Sequence, residues 1–313
     1  MRVLRALLTI GAFGVLALAA TPFLDRLAPT WLPAVQALGR VWLVVALVLG
    51  VFSVLTKAWL AVAANVVAIA AALVTIVGIS NAPACKSTED RIAVMSINAF
   101  YGEADVAQLA AAVERYNIDV LVIPEVTEMM IADLKQTKAG KRFTYRSGQT
   151  VETRDSSGTV ILSRYPAERV PETAESKTVT FQQPIMRISV GEQSVLFKAV
   201  HPLPPLPKWL DLWHDGLLEL GQWQRSHRGV PLILAGDFNA SMAHAPFRDA
   251  KRSMSDTSGL WPPATWPMDR RYPAFTDIDH ILVRNLSVVD SGVVDIDGTD
   301  HRAVWADLRV CRV

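Results

Sequence analysis

The chain has 313 residues, 19% of them charged, with 31 basic and 30 acidic side chains and a mean hydropathy of +0.26. Only six charges (Arg2, Arg5, Asp25, Arg26, Arg40 and Lys57) fall in residues 1–80, so a membrane segment is expected ahead of one globular domain with ordinary charge density. That domain keeps 26 basic and 29 acidic residues, a mildly acidic balance that argues against a generic nucleic-acid binder, whose affinity rests on cationic surface.

Three apolar runs are expected to span, at about residues 6–24, 38–55 and 58–80. Trp31, Trp42 and Trp59 stand near their ends, where amphipathic rings favour the membrane interface. The first run, with Arg2 and Arg5 before it and LALAAT at its end, reads as an uncleaved anchor or as a signal peptide. Further spans follow it directly, which favours the anchor. From a cytoplasmic N-terminus, either reading puts residue 81 onward outside the cell membrane. The only two cysteines, Cys85 and Cys311, stand at the two ends of the globular domain. They read as two free thiols or, if the first and last strands are neighbours in an oxidising compartment, as a bridge.

Residues 81–90 (NAPACKSTED) read as a short polar linker, and the globular domain is expected over 91–313. Strands are expected at 91–97, 119–123, 157–163, 184–190 and 194–201, and again at 231–234, 278–284 and 303–309. A helix begins at Asp105, with Gln108 placed for a capping box, and others are expected at 127–135, 209–225 and 246–251. Many strands with interspersed helices, and few strand–helix–strand repeats, predict a layered α+β sandwich.

The chemistry collects at strand ends. Asn98 follows AVMSI, Glu125 follows VLVIP and His201 follows VLFKAV. Asp237 and Asn239 follow LILAG, Asp279 opens DHILVR, and Asp300-His301 precedes AVWADL. Oxygen donors such as Glu125 and Asp300 suit a hard divalent ion, while two histidines without neighbouring cysteines argue against a thiolate zinc site. A carboxylate beside a histidine fixes its tautomer and holds the imidazolium charge. His280 points away from Asp279 along the strand and is expected in the core, whereas His214, His227 and His244 are expected on the surface. Asp277 reads as a cap at the strand entrance, and Trp261, Trp266 and Phe275 as a substrate wall or as loop packing.

Seven stretches in order resemble the endonuclease/exonuclease/phosphatase superfamily, the deoxyribonuclease-I-like proteins. They are SIN (96–98), PEV (124–126), SGTVILSRYP (157–166), VHP (200–202), GDFNA (236–240), IDHILV (278–283) and DHRAV (300–304). The resemblance runs over about residues 91–310. It implies a four-layer α/β/β/α sandwich with the site at one end, and it makes the first and last strands neighbours, which favours the Cys85–Cys311 bridge. It further implies Glu125 as principal ligand of Mg²⁺ or Mn²⁺, with Asn98 and Asp300 beside the ion. Asp237 would direct the attacking water and Asn239 would hold a phosphate oxygen. His301, oriented by Asp279, would stabilise the transition state or act as acid–base, with His201 across the phosphate.

An outward-facing phosphoesterase on a short linker samples lipid head groups, so the expected substrate is a membrane lipid phosphate, diphosphate or phosphodiester at the bilayer of a bacterial cell membrane. The Leu203–Leu206 loop and the Trp209/Trp213 side are apolar enough to touch the lipid interface, or to bury against the sheet. Three spans followed by this domain are similar to bacterial membrane members of the superfamily linked to glycopeptide resistance, which would point to an isoprenoid lipid diphosphate. The alternatives are an extracytoplasmic nuclease and a non-catalytic membrane-binding module.

Overall fold

The computed structural model describes residues 1–24, 30–77, 87–152, 155–171, 178–268 and 271–312. Four helices come first: α1 (Arg2–Ala19), α2 (Leu32–Ala37), α3 (Gly39–Leu55) and α4 (Trp59–Ile76). Helices α1, α3 and α4 pack on one another. Ala12, Ala46, Ala61, Ala68 and Ala72 are buried between them, while Leu47, Val51, Leu60, Val67 and Val74 point outward. Small residues inside and large apolar residues outside reverse the pattern of a water-soluble bundle and match helix packing in lipid.

Of the three spans expected, two stretches, Arg2–Phe23 and Trp59–Ile76, are long and apolar enough to cross a membrane, and α3 is shorter, at 17 residues. The third run, expected to reach residue 80, is helical only to Ile76, and residues 78–86 lie outside the described residues. Cys85 is among them, so the expected bridge is not placed.

The globular domain opens earlier than the sequence suggests. Strand β1 (Ser87–Ser96) takes in the last four residues of the expected linker, because Ser87 already pairs with Cys311 of β12 (Ala303–Cys311). The other strands are β2 (Val120–Pro124), β3 (Tyr145–Gln149), β4 (Thr159–Ser163), β5 (Ala167–Val170), β6 (Ile185–Val190) and β7 (Gln193–Val200). After them come β8 (Leu232–Asp237), β9 (Ser255–Asp256), β10 (Asp279–Arg284) and β11 (Leu286–Val294). They form two six-stranded sheets, ordered β11-β12-β1-β2-β4-β3 and β5-β6-β7-β8-β10-β9. The first and last strands are neighbours, as the resemblance implies.

Period-two alternation builds the layers. Val94, Val120 and Val122 of the first sheet meet Phe197, Ala199, Ile233 and Ile281 of the second. Their neighbours Met95, Leu121 and Ile123 face the other way, against α5 (Val106–Arg115) and α6 (Glu128–Gln136) through Leu109, Val113, Met130 and Ile131. The outer face of the second sheet, with Leu196, Leu232 and Leu234, is covered by α7 (Leu210–Ser226) and α8 (Ala245–Lys251) through Trp213, Leu217 and Phe247. The result is the four-layer α/β/β/α sandwich.

Strand direction brings the site together. β1 and β2 run parallel, as do β7 and β8, while β12 and β10 run antiparallel to β1 and β8. The C-terminal ends of β1, β2, β7 and β8 therefore share one rim with the starts of β10 and β12. Gly236 permits the closest approach there. A Cβ at that position would sit 1.9 Å from the carbonyl oxygen of Val200, so β7 and β8 could not pair up to the rim with any other residue.

Candidate active site

Asn98, Glu125, His201, Asp237, Asn239, Asp279, Asp300 and His301 all lie on this rim, and contacts connect them. Asn98 donates through Nδ2 to Glu125 Oε1 (3.0 Å) and to Asp237 Oδ2 (3.1 Å). Its Oδ1 accepts from the backbone N–H of Phe100 (2.9 Å), so the amide bridges two carboxylates that would otherwise repel each other. Asp237 and Asp279 are register partners across β8 and β10. His301 Nδ1 donates to Asp279 Oδ2 (2.9 Å), leaving Nε2 aimed between Asp237 Oδ2 (3.8 Å) and Asp300 Oδ1 (3.7 Å). His201 Nε2 lies 3.9 Å from Glu125 Oε1, and its ring packs on Phe181 with centroids 4.6 Å apart.

Two of these residues are held in the left-handed region that side chains seldom adopt, Glu125 at φ 55° and Asn239 at φ 49°. Each turns the chain immediately after a buried strand and presents its side chain to the rim, where such strain is most often stored. Asn239 is fixed from three directions: its N–H donates to Asp237 Oδ1 (2.8 Å), its Nδ2 to the Pro202 carbonyl (3.0 Å), and its own carbonyl accepts from the Trp213 indole (3.1 Å).

Burial sets the protonation states. It opposes charge on His301, but Asp279, Asp237 and Asp300 together outweigh it and push the imidazole up to about 10. Burial, reinforced by Asp279 and opposed by His301, pushes the Asp237 carboxyl up to about 7. His201 goes the other way: burial, helped by the charge on His301, pulls it down to about 3. Near neutral pH the site holds one imidazolium, one neutral imidazole and one carboxyl able to exchange its proton. Glu125 is also raised, by burial against the opposing Asn98 amide and His301.

Several buried polar atoms have no protein partner, among them Glu125 Oε2, Asp300 Oδ1, Asp279 Oδ1 and both ring nitrogens of His201. Buried carboxylate oxygens are rarely left so. Oxygen donors of this kind fit a hard divalent cation. Asp237, Asp279 and His301 also offer donor atoms within 4.8 Å of one another. That trio is nonetheless wired for proton transfer, because His301 spends Nδ1 on Asp279 and stays protonated. Glu125 and Asp300 each present a carboxylate oxygen with no protein partner that could take a cation.

Supports that the sequence did not announce surround these groups. Thr299 donates to the Asn98 carbonyl (2.7 Å) and accepts from the His301 N–H (3.1 Å), tying the end of β1 to the histidine. The pattern Thr-Asp-His is the hydroxyl turn that could have flagged it. Thr265 Oγ1 accepts from the N–H groups of Ile278 (3.1 Å) and Asp279 (3.2 Å). Trp266, expected as a wall or as packing, donates its indole N–H to Asp300 Oδ2 (3.0 Å) and packs edge-on with Phe275. Trp261 is exposed.

His280 is buried as expected, held by Asp256 (2.7 Å) and the Ala240 carbonyl (3.0 Å). His214 and His227 are half-buried rather than exposed. His244 is the clearest departure, buried and bonded on both ring nitrogens, because the chain around it docks against the N-terminal helices. Asp277 is no simple cap: it is buried beside Arg40.

Residues 95–301 match the profile described as the Endonuclease/Exonuclease/phosphatase family. Among curated proteins, none matches the sequence. Solved structures share the fold. An endonuclease/exonuclease/phosphatase from Beutenbergia cavernae is 21% identical with a TM-score of 0.52, over 71% of this chain and 72% of that one. A truncated TDP2 from Caenorhabditis elegans is 16% identical with a TM-score of 0.56, over 70% and 98%. TDP2 from D. rerio, solved with a single-strand DNA product, is 14% identical with a TM-score of 0.53, over 70% and 98%.

Proposed function

Because the chain belongs to the Endonuclease/Exonuclease/phosphatase family, we propose that it is a divalent-metal-dependent hydrolase of a membrane lipid phosphate, diphosphate or phosphodiester, acting outside a bacterial cell membrane. The observation that carries the chemistry is one rim holding a His301–Asp279 pair, a carboxyl at Asp237 with a near-neutral pKa, and unpartnered carboxylate oxygens on Glu125 and Asp300. Phosphoesters resist attack because their oxygens repel a nucleophile, so positive charge must be fixed where negative charge grows.

Asp237 accepts the proton of the attacking water through Oδ2, which keeps a lone pair free beside the Asn98 amide, while Oδ1 takes the Asn239 N–H. A base with a pKa near the working pH is the effective kind. His301 presents Nε2–H to the developing phosphoryl charge, and Asp279 holds that ring in place. Asn239 keeps its second Nδ2 hydrogen for a phosphoryl oxygen, and neutral His201 offers a further polar contact across it. Glu125 and Asp300 would hold Mg²⁺ or Mn²⁺ with Asn98 beside them, and such an ion supplies Lewis-acid polarisation of the phosphoryl oxygen. The test is chelation: metal-stripped full chain in detergent should be inert toward aryl phosphate esters and recover with Mg²⁺ or Mn²⁺. No turnover with either ion would overturn the reading.

The pH profile follows from the two shifted groups. Activity needs Asp237 deprotonated and His301 protonated, so kcat/KM is expected to rise through an acid limb at or below about 7 and to fall through an alkaline limb at or below about 10. A bound cation lowers both limbs and raises neither. Asp237→Asn should abolish the acid limb along with most of the rate; an unchanged acid limb in this variant would remove Asp237 as the base.

Support for the membrane placement is the inverted packing of α1, α3 and α4, two stretches long enough to span and the scarcity of charge in residues 1–80. The acidic balance of the globular domain favours a lipid over a nucleic-acid substrate.

A further inference from the structure

The end of the N-terminal bundle formed by residues 21–24 and 30–40 touches both loops that carry acids into the site. Arg248 Nη2 donates to the Pro22 carbonyl (2.9 Å). His244 Nδ1 accepts from the Ser241 N–H (2.9 Å), so its proton sits on Nε2, which donates to the Pro33 carbonyl (3.0 Å). The His244 ring stands edge-on to Trp213, whose indole fixes the Asn239 carbonyl. One loop, the continuation of β8, is thus held against α2.

The second loop is held by Arg40, in the first turn of α3. Its Nη2 donates to the Pro262 carbonyl (2.5 Å) and reaches Asp277 Oδ1 (3.4 Å). The two side chains keep only 20% and 11% of their surface, so this pair is shielded from the screening that makes exposed ion pairs weak. Pro262 and Asp277 bracket the chain that carries Thr265 and Trp266. Between them stand Thr265, which accepts the Asp279 N–H, and Trp266, which fixes Asp300. A single guanidinium therefore ties both ends of the stretch that orients the two acids flanking His301.

We propose that Arg40 is a positioning residue for the hydrolysis, and that the N-terminal bundle is a structural part of the active site as well as its anchor. This rests on the hydrolase reading above. Arg40 touches no reacting atom; it acts by keeping Asp279 and Asp300 where His301 and the substrate need them. Misplacement of the order of 1 Å costs up to about 100-fold in rate.

The test compares Arg40→Ala, Arg40→Lys and Arg5→Ala in the full chain in detergent, with an aryl phosphate ester and saturating Mg²⁺ or Mn²⁺. Arg5 bonds the Thr56 carbonyl within the bundle (2.7 Å) and controls for general disturbance of the helices. Arg40→Ala should lose about tenfold or more in kcat, with KM changed less than about twofold. Arg40→Lys, which keeps the charge but not the two-pronged reach, should recover part of the loss, and Arg5→Ala should match wild type. Equal kcat for Arg40→Ala and wild type, or equal losses in Arg40→Ala and Arg5→Ala, would overturn the proposal. If Arg40→Ala does not fold, Arg40→Lys decides: a wild-type kcat there overturns it, and a reduced kcat at unchanged KM supports it. An inactive wild type would instead count against the hydrolase reading.

Discussion

Replacing His301 by alanine is expected to lower kcat by about 1,000-fold while leaving the fold and metal binding intact. Among the described residues of the rim, His301 is the one side chain that carries positive charge. Its Nδ1 is committed to Asp279 Oδ2 at 2.9 Å, and its burial would expel the charge were the carboxylates of Asp279, Asp237 and Asp300 not there to hold it. Truncation removes the imidazolium and leaves Asp279 and Asp237 without their shared counter-charge, so beyond the metal the substrate phosphate meets negative charge that no side chain offsets. Asp279→Asn keeps the shape but weakens the hold on the ring, and should cost less, about 100-fold. Steady-state kcat on an aryl phosphate ester decides the matter. A His301→Ala enzyme within tenfold of wild type would mean the phosphoryl charge is met elsewhere.

Glu125→Gln should act through the cation. The substitution preserves size and leaves Asn98 and Asp237 paired, but removes a carboxylate oxygen that has no partner of its own in the protein. The divalent-ion concentration for half-maximal activity is expected to rise by about 100-fold or more, beyond the 10- to 100-fold typical of losing a supporting group around a metal. The same change removes a buried, poorly solvated charge from the metal-free protein. Its thermal midpoint without metal should therefore stay level or rise, the trade of stability against activity expected at a site built for a ligand. Metal titration of activity and thermal denaturation in chelator read the two effects separately. An unchanged ion requirement would exclude Glu125 as a principal ligand.

Most of the site was legible because each group follows or precedes an apolar strand that is largely buried. Runs such as VLVIP before Glu125 and LILAG before Asp237 announce both the strand and its end. The strands that gave no such signal are β3, β5, β9 and β11, the outermost members of the two sheets. β5 has no fully buried residue and β11 has one, so neither shows a continuous apolar run, while β9 is only two polar residues long. Local signals were also diverted by distant ones. Asp105 caps α5 through the Gln108 N–H as expected, but the Gln108 side chain leaves the capping box to bond Asp297 in both directions. His244, Asp277 and Arg40 were beyond reach for a related reason. Their partners lie 211 to 237 residues away in sequence, and nothing in a local pattern tells a docking histidine from a surface one.

The decisive measurement supplies right-side-out membrane vesicles bearing the full chain with a lipid diphosphate, a lipid phosphate or plasmid DNA, in Mg²⁺ or Mn²⁺, and follows phosphate release and DNA nicking. The expected result is phosphate from a lipid substrate without opening the vesicles, abolished by chelation and absent in His301→Ala, with plasmid DNA intact. Activity that appears only after the vesicles are opened would place the site on the inner side. DNA nicking without lipid turnover would contradict the lipid assignment and make the chain a nuclease.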